Sequence, residues 1–519
     1  MFIIILTLIV LGLGVLYVRN RWFQTQHSIL RQYPIMGMFR YLFEMLGPEM
    51  RQYITDSDTE GRPFSRYIYR QVVKLGKYGD NIIGFGSQRD FDKPGFYLLN
   101  KIICVSEKKL LVDNTVPFST YTYKIKKETL ISRHEDRVLT EIKPWLLKDP
   151  IIIGLEDSLI KKPWATKSPI GMSAMSFGSL GEHATQTLAY GLAKAGSWVN
   201  TGEGGISPHH FVGGGQVVFQ FGPGMFGVRN EDGSFNSELF AQKVAHEQIV
   251  ATEVKLAQGA KIKGGILPKE KVTQEISEIR HIPLGQDCIS PNTYPHISSN
   301  EDLCNFILLL KQLSGKPVGI KIVPSQKEEL YELLQVMVEM DAIPNFITID
   351  GGEGGSGAAP QDMSDTLGLP IFAIIPTVDN ALKYFGIRDR VKIFASGKLI
   401  TADQIAIAIS LGADCCNIAR GLMMQLGCIQ ALKCDTNRCP VGVATQDTKL
   451  QNGLVIEEKM YRVANYIATL RKHLFALGAA CGIDTPTKFS PKHIGFQGGD
   501  GIIISGKEWY RRQSERIAA

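Results

Sequence analysis

The sequence predicts an α/β protein: a (β/α)8 TIM barrel behind an N-terminal transmembrane helix, with a mixed N-terminal extension between them. Three observations carry this. From Pro169 to Gly421, eight short apolar, β-branched runs alternate with amphipathic helical stretches over about 250 residues, the pattern of a parallel sheet closed into a barrel. A doubly wound open sheet is the alternative, but its G-x-G-x-x-G fingerprint is absent after the first run. At the other end, Phe2 to Val18 is apolar apart from Thr7, Tyr17 and two glycines. These features divide the chain into an anchor (1–20), an extension (21–160), a barrel with a cysteine loop (161–450) and a helical tail (451–519).

Composition excludes several classes. With 519 residues, 44% of them hydrophobic, the chain is neither disordered nor, lacking a Gly-X-Y period, collagen-like. Its 57 Lys and Arg against 51 Asp and Glu leave a net charge of +6, too weak for a nucleic-acid binder. That charge is concentrated: between Arg19 and Lys77 ten basic residues face five acids.

The apolar run spans about 25 Å as a helix, slightly short of a hydrocarbon core of about 30 Å. No basic residue precedes Phe2, and Val18-Arg19-Asn20-Arg21 follows, unlike a cleaved signal peptide. The positive-inside rule puts the rest of the chain in the cytoplasm, making this a single-pass membrane anchor. A buried core helix is the other reading. Beyond it, Ile29–Tyr53 has apolar residues at helical spacing (Met36, Phe39, Leu42, Met45, Leu46), read as core packing rather than as a membrane face.

The strand runs are Ile170–Met175, Trp198–Thr201, Ala251–Leu256, Gln286–Ser290, Val318–Val323, Phe346–Asp350, Val391–Ala395 and Cys415–Ala419. Intervening helices are expected over Glu182–Lys194, Lys269–Arg280, Asn300–Leu313, Lys327–Met340, Val378–Phe385 and Ala402–Leu411, the last opened by Thr401-x-x-Gln404 in capping-box form. Barrel chemistry sits where strands end. Here the ends include Ser173-Ala174-Met175-Ser176, Asn200-Thr201-Gly202-Glu203-Gly204-Gly205, Gln258-Gly259-Ala260-Lys261, Lys321, Asp350-Gly351-Gly352-Glu353-Gly354-Gly355, Ser396-Gly397-Lys398 and Ala419-Arg420-Gly421. They are rich in glycine, which lets backbone approach a ligand, and bring three lysines and an arginine to one face. The loops after the seventh and eighth strands, Ser396-Gly397-Lys398 and Arg420-Gly421, suit a phosphate. Glu203, Asp350 and Glu353 read equally as pocket acids or as structural acceptors, and His209-His210 as a solvated pair.

Nine cysteines in a chain expected in the cytoplasm do not imply disulfides. Cys428, Cys434 and Cys439, spaced C-x5-C-x4-C and followed by Pro440, suit an iron–sulfur cluster. A three-cysteine zinc site and plain buried thiols remain open.

The strings Ser-Ala-Met-Ser-Phe-Gly, Asn-Thr-Gly-Glu-Gly-Gly, Ala-Gln-Gly-Ala-Lys, Asp-Gly-Gly-Glu-Gly-Gly-Ser-Gly-Ala and Cys-Pro-Val-Gly-Val-Ala-Thr-Gln (439–446) together resemble the central domain of glutamate synthase, from about Pro169 to Leu450. With its N-terminal anchor the whole chain resembles the short membrane-anchored branch of FMN-binding glutamate synthase family proteins. The resemblance implies an oxidoreductase carrying FMN and a [3Fe–4S] cluster on Cys428, Cys434 and Cys439, reducing 2-iminoglutarate to glutamate. It implies FMN phosphate at Ser396, Gly397, Lys398, Arg420 and Gly421, the ring against Ala174, Met175 and Ser176, and close backbone at Gly352 and Gly355. Lys321 would charge the flavin N1–O2 edge, Lys261 would hold the substrate carboxylate, and Glu203 would be a pocket acid. Substrates would be a 2-oxo acid and ammonia or another amine. Electrons would come from a ferredoxin-like carrier, a partner flavoprotein subunit or the quinone pool.

Two polar positions of the family's pocket are Ile206 and Ile266 here. No counterpart to the amidotransferase cysteine is seen, so ammonia is expected from solution or a partner. Two further readings follow: a related flavin oxidoreductase with a less polar substrate, and a membrane-tethered electron-transfer module.

Overall fold

The computed structural model describes residues 1–129, 132–262 and 264–516, so residues 517–519 of the predicted tail lie outside the described residues. The chain divides into two compact units, Met1–Gln71 and Val72–Ala519.

In the first unit the apolar helix Phe2–Val18 buries no side chain, and a π-helical turn, Arg19–Phe23, carries it on. The 22 residues Phe2–Phe23 rise about 33 Å, enough by length and composition to cross a hydrocarbon core. The expected helix over Ile29–Tyr53 is broken in two, Ser28–Gln32 and Met38–Met50. Pro34 disfavours helical backbone at the residue before it, and the first helix stops at Gln32. The apolar side chains of Met38–Met50 are not core: none is buried.

The second unit holds the predicted barrel. Its strands are β1 Ile170–Met172, β2 Trp198–Asn200, β3 Gln216–Phe221, β4 Ile249–Lys255, β5 Val318–Ile322, β6 Phe346–Asp350, β7 Lys392–Ser396 and β8 Cys415–Ile418. From β2 to β8 each pairs in parallel with its sequence neighbour, and β8 returns to β1; among the described residues no ladder joins β1 to β2, so the barrel is nearly closed. At the β1–β2 seam the Ser197 hydroxyl donates to the Ile170 carbonyl (2.7 Å), and Gly171 leaves room for the Trp198 indole.

One predicted strand is wrong and one was missed. Gln286–Ser290 is not a barrel strand: Cys288–Ile289 forms a two-residue hairpin with Ile266–Leu267, inside the insertion between β4 and β5. The third barrel strand is Gln216–Phe221, bounded by Gly213–Gly215 and Gly222-Pro223-Gly224. Helix Ile371–Tyr384 begins seven residues before the expected Val378. Thr401 makes no side-chain cap; Gln404 instead accepts from the Ile400 N–H (3.0 Å).

The barrel floor is apolar. Trp164, on the hairpin Ile151–Ile153/Trp164–Thr166, packs with Trp198, Val218, Ala251, Phe346, Phe394 and Cys415. Trp164 meets Trp198 edge-on (5.3 Å between centroids) and stacks on Phe394 (5.6 Å).

Within the second unit, the segment before the barrel and the C-terminal segment fold together. Helix Ile456–Ala480 lies along helix Glu182–Lys194, and a Cβ at Gly191 would come within 2.5 Å of the Val463 Cβ. The hairpin Phe118–Glu128/Arg133–Ile142 leans on the long helix: Thr120 Oγ1 donates to Asn465 Oδ1 (2.6 Å), and Asn465 Nδ2 to the carbonyls of Gly76 (3.1 Å) and Tyr121 (2.8 Å). Gly95–Leu98 pairs with Ile494–Gln497 from the other end of the chain.

Candidate active site

Because side chains alternate along a strand, the inward residues two places above the floor form the next layer. That layer is polar: Ser173, Asn200, Gln220, Glu253, Lys321, Thr348, Ser396 and Asn417. Its centre is Glu253, 1% exposed. Its carboxylate accepts from Asn200 Nδ2 (2.9 Å), Gln220 Nε2 and Thr348 Oγ1, three donors from three other strands. Ser173 and Ser396 hydroxyls meet at 3.1 Å. The Asn417 carbonyl oxygen Oδ1 is buried without a partner, an orphaned acceptor below the mouth.

Above this layer lie the charges. Lys255, the last residue of β4, and Lys261, on the turn after it, donate to the same Glu203 oxygen at 2.7 and 2.8 Å. Both ammoniums are almost fully buried. Burial alone would raise the Glu203 carboxyl, but Lys255 and Lys261 outweigh it and hold it at about 2. Burial pulls the Lys255 ammonium down to about 8; Glu203 resists this, and repulsion from Lys261 and Lys321 adds to it. The Tyr294 hydroxyl donates to the carbonyls of Phe221 (3.1 Å) and Lys255 (3.0 Å), fixing the ends of β3 and β4 together. Lys321, on β5, pairs with Asp350 at the end of β6 (3.2 Å), whose Oδ2 also accepts from the Gly259 N–H (3.0 Å). With Lys398 and Arg420 beside Glu353, and Glu253 beneath, five cations meet four carboxylates at this barrel end, a net positive charge that suits an anionic ligand.

At the end of β7, Gly397 and Lys398 have φ of +153° and +52°, a sharp turn of the backbone that glycine permits at its first position. The helix Arg420–Leu426 follows β8, and its first N–H groups have no acceptor within it. The Arg420 guanidinium donates to the Glu353 carbonyl and lies 3.1 Å from where a Cβ at Gly355 would stand. Gly421 leaves room for Tyr466, whose hydroxyl donates to the Ile400 carbonyl (2.6 Å). Gly352 serves the loop itself, its N–H donating to the Leu369 carbonyl (2.9 Å). Glu353 is structural as well, both its oxygens accepting from the Ile371 N–H at 3.1 Å. Ala174–Ser176 is half-buried, and a Cβ at Gly202 would come within 2.6 Å of the Ser176 nitrogen, so the ends of β1 and β2 touch.

FMN fits this arrangement on three counts. The positive-φ turn with Arg420 suits its phosphate, the net positive charge of the barrel mouth its anionic character, and the orphaned Asn417 oxygen a polar ring edge.

The cysteine loop follows the helix Arg420–Leu426 directly. Gln430, Leu432 and Asn437 all have positive φ, so its course is tightly turned. Gln446 Nε2 donates to the carbonyls of Gly178 (3.0 Å) and Leu180 (2.8 Å), and Asn437 Nδ2 to Glu270 (3.0 Å), pinning the loop to the β1 turn and the β4–β5 insertion. Burial pushes the Cys428 thiol up to about 11, and the nearby Cys434 and Cys439 add to the shift. Buried Lys271 donates to the Cys434 carbonyl (2.7 Å). Three thiols on one loop beside a lysine fit an iron–sulfur cluster in donor chemistry; among the described residues no three His, Cys, Asp or Glu side chains are already spaced to grip a metal ion.

The structure therefore brings Lys261 and Glu203 together, and gathers Lys321, Ser396–Lys398 and Arg420-Gly421 at the same barrel end. His210 is structural: its ring accepts from the Ser207 N–H (3.1 Å), and burial lowers it to about 4. His209 packs on Phe177. Ile206 is half-buried just after the Glu203 turn, whereas Ile266 is 51% exposed on its hairpin and Gly265 lies over Lys261 instead. Sequence reasoning missed Lys255 and Glu253. The signal was available: two charges at alternate positions of the apolar run Ala251–Leu256 lie on one face of a strand.

Comparison with known proteins gives a consistent set of similarities. The profile described as "conserved region in glutamate synthase" matches residues 100–484. The glutamate synthase large subunit-like protein YerD of Bacillus subtilis is 47% identical over 93% of this chain and 92% of its own. An archaeal glutamate synthase [NADPH] of Methanocaldococcus jannaschii is 36% identical over 61% of this chain and 60% of its own. Among solved structures, a mutant flavocytochrome b2 with benzoylformate superposes with a TM-score of 0.43 at 12% identity, covering 88% of this chain and 85% of that one, too loosely to carry an argument.

Proposed function

The chain belongs to the glutamate synthase family, a family of oxidoreductases, and on that premise we propose that it reduces an imine of 2-oxoglutarate, or of a related 2-oxo acid, to the amino acid. The observation that carries the proposal is the pair of buried lysines, Lys255 and Lys261, on one Glu203 oxygen at the barrel mouth.

Each residue has a part. Ser396, Gly397, Lys398, Arg420 and Gly421 would hold the FMN phosphate, with Ala174–Ser176 beside the ring and Lys321 at its anionic edge. When bound, FMN supplies the electron pair that reduces the imine carbon. Cys428, Cys434 and Cys439 would hold a [3Fe–4S] cluster, which passes electrons singly. Lys261 binds the substrate carboxylate as a point charge. Lys255, still carrying its proton near neutrality, offers that proton to the imine nitrogen while the carbon is reduced. Glu203 holds both ammoniums in place and stays ionised through the reaction. Asp350 orients Lys321. Tyr294 fixes the backbone of Lys255.

Ammonia enters from solution or from a partner subunit. The reductant is a ferredoxin-like carrier or another donor; the archaeal relatives carry NADPH in their names. The helix Phe2–Val18 would anchor the chain in a membrane, and Arg19 and Arg21 just after it would favour the cytoplasmic side for the barrel.

The test is anaerobic: the photoreduced full chain is mixed with 2-oxoglutarate and ammonia. The proposal expects the flavin to reoxidise with formation of glutamate; reoxidation by neither 2-oxoglutarate nor any other 2-oxo acid overturns it. Ile206, beside the Glu203 turn, favours a second reading, a less polar substrate, in which a branched-chain 2-oxo acid reoxidises the flavin faster.

A further inference from the structure

We propose that residues 28–55 form an arm that lies flat on an anionic bilayer surface, its helix Met38–Met50 embedded by one face; this rests on the anchor reading of Phe2–Phe23. The helix is two-faced. At 100° per residue Met38, Phe39, Leu42, Phe43, Met45, Leu46 and Met50 share one broad side, interrupted only by Glu49. Arg40 and Glu44 hold the opposite side, joined by a 2.6 Å ion pair. The apolar side is open: Phe43 is 64% and Met45 65% exposed, and Tyr53 and Ile54 continue the apolar surface past the helix end.

Covering by lipid follows from three features. First, the arm is tied to the exit end of the apolar helix: Asn20 Nδ2 donates to the Pro34 carbonyl (2.7 Å) and Arg21 Nη1 to the Arg31 carbonyl (2.8 Å). A helix that crosses a bilayer and ends near Phe23 therefore delivers the arm at the depth of the lipid headgroups. Secondly, Tyr17 and Trp22, in edge contact at 5.9 Å, sit at that same end, where amphipathic rings favour the membrane boundary. Thirdly, residues 19–55 carry five arginines against two glutamates and no lysine or aspartate, a basic balance complementary to anionic headgroups.

The experiment uses the full chain in vesicles of phosphatidylcholine and phosphatidylglycerol. An environment-sensitive fluorophore is placed by Phe43→Cys or, separately, by Arg40→Cys, each in a Cys104→Ser background because Cys104 is exposed. Resistance to alkaline carbonate extraction is read first; a chain released by carbonate overturns the anchor reading and the arm with it. In a retained chain, the label at position 43 is expected to be quenched several-fold less by aqueous iodide than that at 40, and to be quenched by doxyl-labelled lipid. Equal iodide quenching at both positions overturns the arm and leaves the anchor standing. Shielding at 43 without lipid quenching also overturns it, since the face is then covered by protein, a second copy included.

Discussion

At the floor of the barrel Trp164, Trp198, Phe346 and Phe394 meet as rings, Phe346 and Phe394 5.2 Å apart, with no charged group among them. One layer further along the barrel strands the inward side chains include Asn200, Glu253, Lys321, Thr348 and Ser396, and beyond them Lys255 and Asp350. The strands and the alternation are the same, so what differs is how each layer meets the cost of burial. The aromatic layer gains by leaving water. The charged layer must recover its desolvation through ion pairs, and buried pairs of this kind often stabilise no more than apolar side chains of equal volume. Stability resides below and chemistry above, which makes the two ends separable by mutation.

The largest effect is expected at the floor. Trp164→Ala should cost about 3–5 kcal/mol in denaturant unfolding, through lost transfer energy and the cavity left among Trp198 and Phe394. At the mouth, Lys255→Met leaves Glu203 paired with Lys261, so it should cost less than the roughly 3–5 kcal/mol lost when a buried charge is stripped of its partner, yet slow flavin reoxidation about 100-fold. If Lys255→Met unfolds the chain instead, the division of labour between the two ends is wrong.

A pH profile sharpens the same contrast. Lys255, lowered to about 8 by burial, gives up its proton in the folded state before an ordinary lysine would. Reoxidation should therefore fall about tenfold per pH unit above that value, while stability rises, because the unfolded chain binds the extra proton up to the ordinary lysine range. Lys255→Arg, always charged, should remove the alkaline fall from the reoxidation rate; a profile unchanged in this variant assigns the group elsewhere. Another effect is expected from Lys321→Met, which should weaken flavin binding or lower its potential; unaltered flavin content and redox behaviour would contradict the role given to Lys321.

The parts legible in the sequence are those whose cause is local. Glycine at a strand end and a β-branched run before it mark β1, β2 and β4–β8, and Lys261, Lys321, Lys398 and Arg420 could be found because they follow such runs. Gln216–Phe221 was not legible as a strand because glycine-rich turns flank it on both sides and no helix follows directly; Cys288–Ile289 mimicked a strand within an insertion. Glu253 and Lys255 were hidden for a different reason. A charge in a strand reads as solvent-facing, and only closure of the barrel turns it inward. The extension stayed opaque because its partners are distant: Gly95–Leu98 pairs with Ile494–Gln497, and Thr120 with Asn465.

The central claim is that the polar end of this barrel holds a flavin phosphate and its net positive charge meets an anion. Flavin released by acid from the purified full chain tests it most directly. The account predicts FMN at about one equivalent per chain; a chain that carries no flavin and takes up none when FMN is added would contradict it.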